Sequence, residues 1–395
     1  VIGLRQIFKQ NYVAAPNRTG LDVPPNTKSW QVTLMPTIGL IAIAILWIAM
    51  IPPLPQAAAQ SLPEWLIPIS NFGLLFAYAY LSIFIHELGH LLFAFARGFE
   101  LQAFAVQKWI LVRRGKQWKT FRAQTPYAGG FVLPIPKSLS HFSRSALMAM
   151  IFGGPFASFL LFCVGASPLL FPAWINNNFF IWLMVAFSGL SLYMAIFNAL
   201  PLKLGYLRTD GRRLLDLAKN NLAGQRFAAL YGINASLRQG IRPSDFNPIF
   251  IEQALAIPEN SSDHVAGLLM AYAHTLDKGE LEKAGHYLDQ ALDLQLYFPE
   301  LFRGTLLLEG TFFEAHIRHQ AEVARQWFDQ ITETALTPPY ALARAEAALL
   351  LAEGDHTAAR TKAQQGLDSV MRDRFMKGDA ISEEEKLSAL LEEIN

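Results

Sequence analysis

His86-Glu87-Leu88-Gly89-His90 sits inside an apolar stretch, Phe72 to Ala96, that is long enough to cross a bilayer as a helix. Residues four apart share one helical face, so the two imidazoles can hold one zinc ion while Glu87 projects beside the open coordination position. Three ionisable groups within five residues of a spanning helix are costly unless paired or metal-bound. The competing reading, a chance cluster in a soluble helix, does not account for the apolar surroundings. The pattern points to metal-dependent hydrolysis within a membrane.

At 395 residues the chain has room for two or three domains, and 52% hydrophobic residues with 16% charged place it among partly membrane-embedded proteins. Its net charge of +1 is a cancellation: Val1 to Arg213 holds 17 Lys/Arg against 5 Asp/Glu, and Leu214 to Asn395 holds 16 against 27. The basic residues flank apolar runs, which is a topology signal, and no nucleic-acid partner is expected. Cys163, the single cysteine, lies in an apolar run, so neither an internal disulfide nor a Cys-rich metal site is available.

Four segments are long and apolar enough to span: Val32 to Ile51, Phe72 to Ala96, Ala146 to Phe171 and Phe179 to Leu200. Arg5, Lys9, Arg18 and Lys28 precede the first, whereas the connection that follows it has Glu64 and no Lys or Arg. The connection after the second span is strongly basic, the Pro172 to Asn178 link carries no charge, and Lys203, Arg208, Arg212 and Arg213 follow the fourth. These loops agree on one topology, with both termini cytoplasmic and His86 and His90 in the cytoplasmic half of their helix. A cleavable signal peptide is not expected, because about 30 mostly polar residues precede the first apolar run.

A catalytic zinc site needs a third protein ligand, and Asp210, beyond the last span in an irregular stretch after Pro201, is the candidate. An ordinary turn or helix cap is the plainer reading of Asp210-Gly211, and Asp216 is the nearest alternative. H-E-x-x-H on one span, with Asn198-Ala-Leu-Pro201 and then Asp210-Gly211 at the end of a later one, resembles the site-2 protease family of intramembrane zinc metalloproteases. The likeness covers roughly Phe72 to Leu215. On the intervening span that family shows a Gly followed four residues later by a small or amide residue, matched here by Gly154 and Ser158. The family's Asn-to-Asp interval is usually about four residues shorter, and Thr209 stands where it usually has Leu.

The resemblance implies one Zn²⁺ held by His86, His90 and Asp210, with Glu87 as general base and acid. Asn198 is a candidate oxyanion donor, its plainer role being to end the helix. The resemblance also implies a β-rich, membrane-associated segment after the H-E-x-x-H helix. Independently, Trp109 to Val112 and Trp118 to Phe121 are β-prone runs flanking Arg113-Arg114-Gly115, a plausible hairpin turn, and Gly129-Gly130 marks a bend before Phe131 to Pro134. An edge strand there offers an extended substrate backbone pairing, with Gly129, Gly130 and Ser158 as candidate contacts. A basic hairpin resting on anionic headgroups is an equally good reading.

From Asp263 onward a helical-pair pattern recurs in Ala284 to Leu292, Ala324 to Ile331 and Ala359 to Leu367, punctuated by Pro299, Pro338 and Pro339. It resembles tetratricopeptide repeats, whose stacked pairs form a concave peptide-binding surface. Its negative charge is suited to docking on the basic half through Arg113, Arg114 and Lys116. His316 and His319 share a helical face, but with no further His or Cys nearby in sequence they read as a solvated face, and the other histidines as surface or packing residues.

The expected protein is thus an α-helical polytopic membrane protein of about four spans with a short membrane-associated β-hairpin region, plus a cytosolic all-α helical-repeat domain. The expected boundaries are 1–213 for the membrane metalloprotease domain, 214–262 for a helical linker and 263–395 for the repeats. The expected partners are a transmembrane polypeptide substrate, the lipid bilayer and a cytosolic peptide or protein, in a bacterial cytoplasmic membrane. Two rivals stand beside this. A membrane gluzincin protease would take a Glu as third ligand, and Glu100 is the only Glu between His90 and Asp210. A catalytically idle scaffold that recruits partners through its repeats would have no need of Glu87.

Overall fold

A computed structural model describes residues 66–122, 129–170, 178–204, 207–332 and 334–394. The expected span Val32 to Ile51 and its basic flank lie outside the described residues. Three apolar helices come first: α1 (Leu66–Ala96), α2 (Arg144–Leu170) and α3 (Asn178–Ala199). Phe76–Ala96 and Arg144–Pro168 are long and apolar enough to cross a membrane, and α3 carries a shorter apolar run, Leu183–Ala199. Phe76, Phe84, Leu92, Phe152, Phe159 and Leu160 stay exposed on the outer faces, as suits side chains covered by lipid. Inside, a Cβ on Gly89 would collide with the Gly153 carbonyl and one on Gly153 with the Gly89 carbonyl, so α1 and α2 cross backbone to backbone.

Between α1 and α2 the chain forms a four-stranded antiparallel sheet: β1 (Phe99–Val106), β2 (Trp109–Arg114), β3 (Gln117–Arg122) and β4 (Gly130–Pro136), in the order β3-β2-β1-β4. The hairpin read from the sequence is present, turning at Gly115 with φ +60°, a left-handed conformation that glycine adopts without steric cost. Alternation divides the sheet's faces. Phe104 packs edge-on against Phe84 of α1, while Ala103, Ala105, Ile110 and Val112 are buried against Leu301 and Ala335 of the C-terminal half.

After α3 a short ladder of β5 (Lys203–Leu204) and β6 (Leu207–Arg208) leads into α4 (Asp210–Lys219), α5 (Leu222–Gln239) and α6 (Pro248–Leu255). This stretch, expected as a linker, contributes to two cores: Leu217, Phe227 and Tyr231 pack with Ala94 of α1 and Leu147 and Met150 of α2, and Ile233 and Leu237 pack with Phe246, Ile251 and Ala271.

The remaining helices follow in consecutive pairs: α7 (Ser262–Asp277) with α8 (Leu281–Asp293), α9 (Glu300–Phe312) with α10 (Ala321–Phe328), and α11 (Pro339–Ala352) with α12 (His356–Arg372), closed by α13 (Lys377–Ile394). The three recurring sequence segments begin in α8, α10 and α12, the second helix of each pair, and share one hydrophobic core. Pro299 is the N-cap of α9 and Pro338 that of α11. The acidic half docks on the hairpin tip: Arg114 Nη2 donates to the Ala335 and Thr337 carbonyls, both at 2.7 Å, and the Gly115 N–H donates to Asp373 Oδ1 at 2.7 Å. Arg113 instead pairs with Glu100 at 3.2 Å and lies over the Phe375 ring, and Lys116 is exposed.

Candidate metal centre

His86 and His90 lie one helical turn apart on α1, and α2 orients both rings. His86 Nδ1 is 2.9 Å from Ser158 Oγ, and His90 Nδ1 is 2.9 Å from the Met150 carbonyl oxygen. A carbonyl only accepts, so His90 carries a proton on Nδ1 and presents Nε2 to Asp210. Nε2 of His86 and of His90 approach one oxygen, Asp210 Oδ2, at 3.1 and 3.3 Å. One ligand atom from each of the three residues lies within 4.8 Å of the others. The α2 backbone runs against this point: a Cβ on Gly154 would come 2.8 Å from His86 Nε2 and overlap the His90 ring.

The long interval before Asp210 is closed on itself. β5 pairs with β6, the Thr209 N–H donates to the Leu202 carbonyl at 3.2 Å, and Thr209 Oγ1 donates to the Leu200 carbonyl at 2.5 Å. β5 and β6 thus fold back on each other, and Asp210 starts α4 beside the end of α3, where a Cβ on Gly211 would collide with the Ala199 carbonyl. Thr209 also caps α4, accepting from the Arg212 N–H at 3.4 Å. Burial opposes ionisation of Asp210, but His90 and His86 outweigh it and hold the carboxyl well below its ordinary value.

Glu87 is buried on the same helix, and a Cβ on Gly130, the first residue of β4, would come 2.7 Å from its Cγ. This edge strand therefore begins beside the carboxylate. Gly129, just before it, accepts from the Gln107 N–H at 3.0 Å. The other candidates are committed differently. Asn198 donates to the Met194 carbonyl one turn back on its own helix at 3.0 Å, and Asp216 is buried against Arg212, Arg208 and Asn221. Two partners carry no motif in the sequence: the Met150 carbonyl, a backbone group, and the Gly89–Gly153 crossing, whose only trace is small residues on both helices.

The donor set fits a divalent cation. Glu87 and Asp210 bring two carboxylates together with two imidazoles, and among the described residues no Lys or Arg is ion-paired with either carboxylate. Two imidazoles and one carboxylate are a ligand set that zinc accepts, with a position left for water or substrate.

Beyond α4 the C-terminal half grips the segment that carries Asp210. Asp263 lies 3.2 Å from both Arg208 and Arg213, and Glu259 lies 2.8 Å from Arg208 and 3.1 Å from Lys203. Burial raises the Glu259 carboxyl, but Arg208 and Lys203 overcome it and bring it down to about 2.

Residues 75–172 match the family model of peptidase family M50. That family comprises membrane zinc metalloproteases of the site-2 protease type. The matched residues include His86, Glu87, His90, the sheet, Gly154 and Ser158, and end before Asp210. No curated protein and no solved structure matches the chain.

Proposed function

We propose that this chain is an intramembrane zinc metalloprotease in which His86, His90 and Asp210 hold one Zn²⁺ and Glu87 is the catalytic acid and base. The observation that carries the reading is the convergence of two α1 imidazoles and a carboxylate from beyond α3 on one point, beside a second buried carboxylate. Bound there, zinc lowers the pKa of a water molecule and polarises the scissile carbonyl. Glu87 takes the proton of the attacking water and delivers it to the leaving amine. Ser158 and Met150 hold the two rings in register through their Nδ1 atoms, and Gly154 leaves the space between them open.

A helical substrate satisfies its own backbone hydrogen bonds and must unwind before a carbonyl is reachable, so spans containing Gly, Pro or polar residues are the preferred substrates. The edge of β4, starting at Gly130 beside Glu87, suits an unwound segment that pairs as an added strand. Basic loops and the acidic C-terminal half both belong on the cytoplasmic side, so cleavage occurs near that face of a bacterial cytoplasmic membrane, as in regulated intramembrane proteolysis. Residues 1–213 form the protease domain, 214–262 the bridge, and 263–395 a tetratricopeptide-like domain that selects a substrate or cytosolic partner.

The test is zinc content and cleavage of a helix-weakened membrane substrate in the wild type, Glu87→Gln and Asp210→Ala. Glu87→Gln is expected to keep zinc and lose cleavage, and Asp210→Ala to lose the zinc of this site. Cleavage unaffected by Glu87→Gln would end the protease reading, and undiminished zinc in Asp210→Ala would remove Asp210 as a ligand.

A further inference from the structure

The C-terminal half lines one cavity with further His and Glu side chains. A cavity of about 260 Å³ is lined by His316, His319, His356 and Glu393. In sequence only the first two are neighbours. Folding adds His356 from the first residue of α12 and Glu393 from the last turn of α13, so three separate segments of the core supply donors to one space. The reading of His316 and His319 as a solvated face does not hold for His316, which is buried at the cavity wall with Nδ1 3.4 Å from Glu393 Oε2.

Two backbone irregularities fall at this place. Phe313–Ile317, which contains His316, is a π-helical turn that interrupts the helical pairing between α9 and α10. Such turns are uncommon and occur disproportionately at functional sites. Two residues later His319 adopts φ +56°, in the left-handed region that side chains other than glycine seldom occupy. Both His316 and His319 line the same cavity. An uninterrupted α-helix would have stacked His316 and His319 on a single helical face instead.

The rest of the lining leaves room. Ala315, Ala348 and Ala352 are small, and neither Lys nor Arg is among the lining residues, so no side-chain cation of the protein fills the space. His319, His356 and Glu393 are exposed at the rim of the cavity, and His316 is buried at its wall. Imidazoles with one carboxylate form the donor set favoured by zinc and its neighbours in the first transition row, and not by calcium or magnesium.

We propose that His316, His319, His356 and Glu393 form a second metal site, for one divalent ion of the zinc class, separate from the membrane site. Its occupation ties the π turn to the start of α12 and the end of α13 and so fastens the last helix to the pair before it.

The test uses the full-length detergent-solubilised protein, stripped of metal and titrated with Zn²⁺, wild type against the double variant His319→Ala, His356→Ala. Both replaced side chains are exposed, so the fold is retained. The double variant is expected to bind one equivalent fewer of zinc per chain than the wild type, or to bind that equivalent at least tenfold more weakly. Equal stoichiometry and equal affinity in the two proteins would overturn the proposal. His86, His90 and Asp210 are untouched, so the zinc that remains in the double variant reports on the membrane site separately.

Discussion

In the C-terminal half, buried charges meet opposite charges supplied by the protein. Arg344, fully buried, lies 2.5 Å from Glu309 and 2.8 Å from Glu383 and sits over the Phe312 ring, while Asp277 lies 2.8 Å from Arg242. In the membrane half, His86, Glu87, His90 and Asp210 crowd together with two carboxylates, and no Lys or Arg among the described residues pairs with them. The first arrangement meets buried charge with opposite charge as folded, and the second is a donor set that suits a cation. Burial alone therefore does not identify a site here. What identifies it is a pair of buried carboxylates beside two imidazoles, with no Lys or Arg among the described residues ion-paired to either.

The contrast is broken most strongly by neutralising Glu87. Glu87→Gln is expected to lower turnover by about 10²- to 10⁴-fold, as loss of a general acid–base does, with no loss of thermal stability because it removes the burden of a buried carboxylate. Arg344→Ala is expected to do the reverse. It leaves Glu309 with the Tyr272 hydroxyl and Glu383 with Lys386 as their remaining partners and costs about 3–5 kcal/mol of folding stability in chemical denaturation.

Next in size is a pH effect confined to the C-terminal half. Burial raises the Asp277 carboxyl, but Arg242, the Ser244 N–H and Ser382 outweigh it and hold it at about 2, against an ordinary 3.8. A depressed carboxylate stabilises the fold above its unfolded value, so this contribution is complete above about pH 4. It is lost as pH falls toward 2. The loss amounts to about 2 kcal/mol, and it should vanish from the unfolding-versus-pH curve of Asp277→Asn. The smallest effect is expected at Thr209→Ala, which removes the cap of α4 at a cost of about 1 kcal/mol but loosens the end of α3 against Asp210. Weakened zinc binding with only that small loss of stability is the expected signature, and unchanged zinc affinity would mean that the β5–β6 pairing holds Asp210 without it.

Local pattern made the H-E-x-x-H helix, the β2–β3 hairpin and the recurring helices of the C-terminal half readable from the sequence. The position of Asp210 was readable only as a candidate, because its long interval is shortened by backbone bonds between Leu202 and Thr209 that have no residue signature. The Met150 carbonyl was not readable for the same reason. His356 and Glu393 joined His316 through tertiary packing across separate helices, which spacing along the chain cannot report. Asn198 matched a motif, yet its side-chain amide bonds back to Met194 within its own helix.

The central claim is that His86, His90 and Asp210 share one metal ion. It is tested most directly by zinc-edge X-ray absorption on the full-length chain carrying His319→Ala and His356→Ala, so that the membrane site dominates the signal. Two imidazoles with oxygen ligands while Asp210 is intact, and loss of that signal in Asp210→Ala, is the predicted result. No bound zinc while Asp210 is intact, or a signal unchanged by Asp210→Ala, would contradict it.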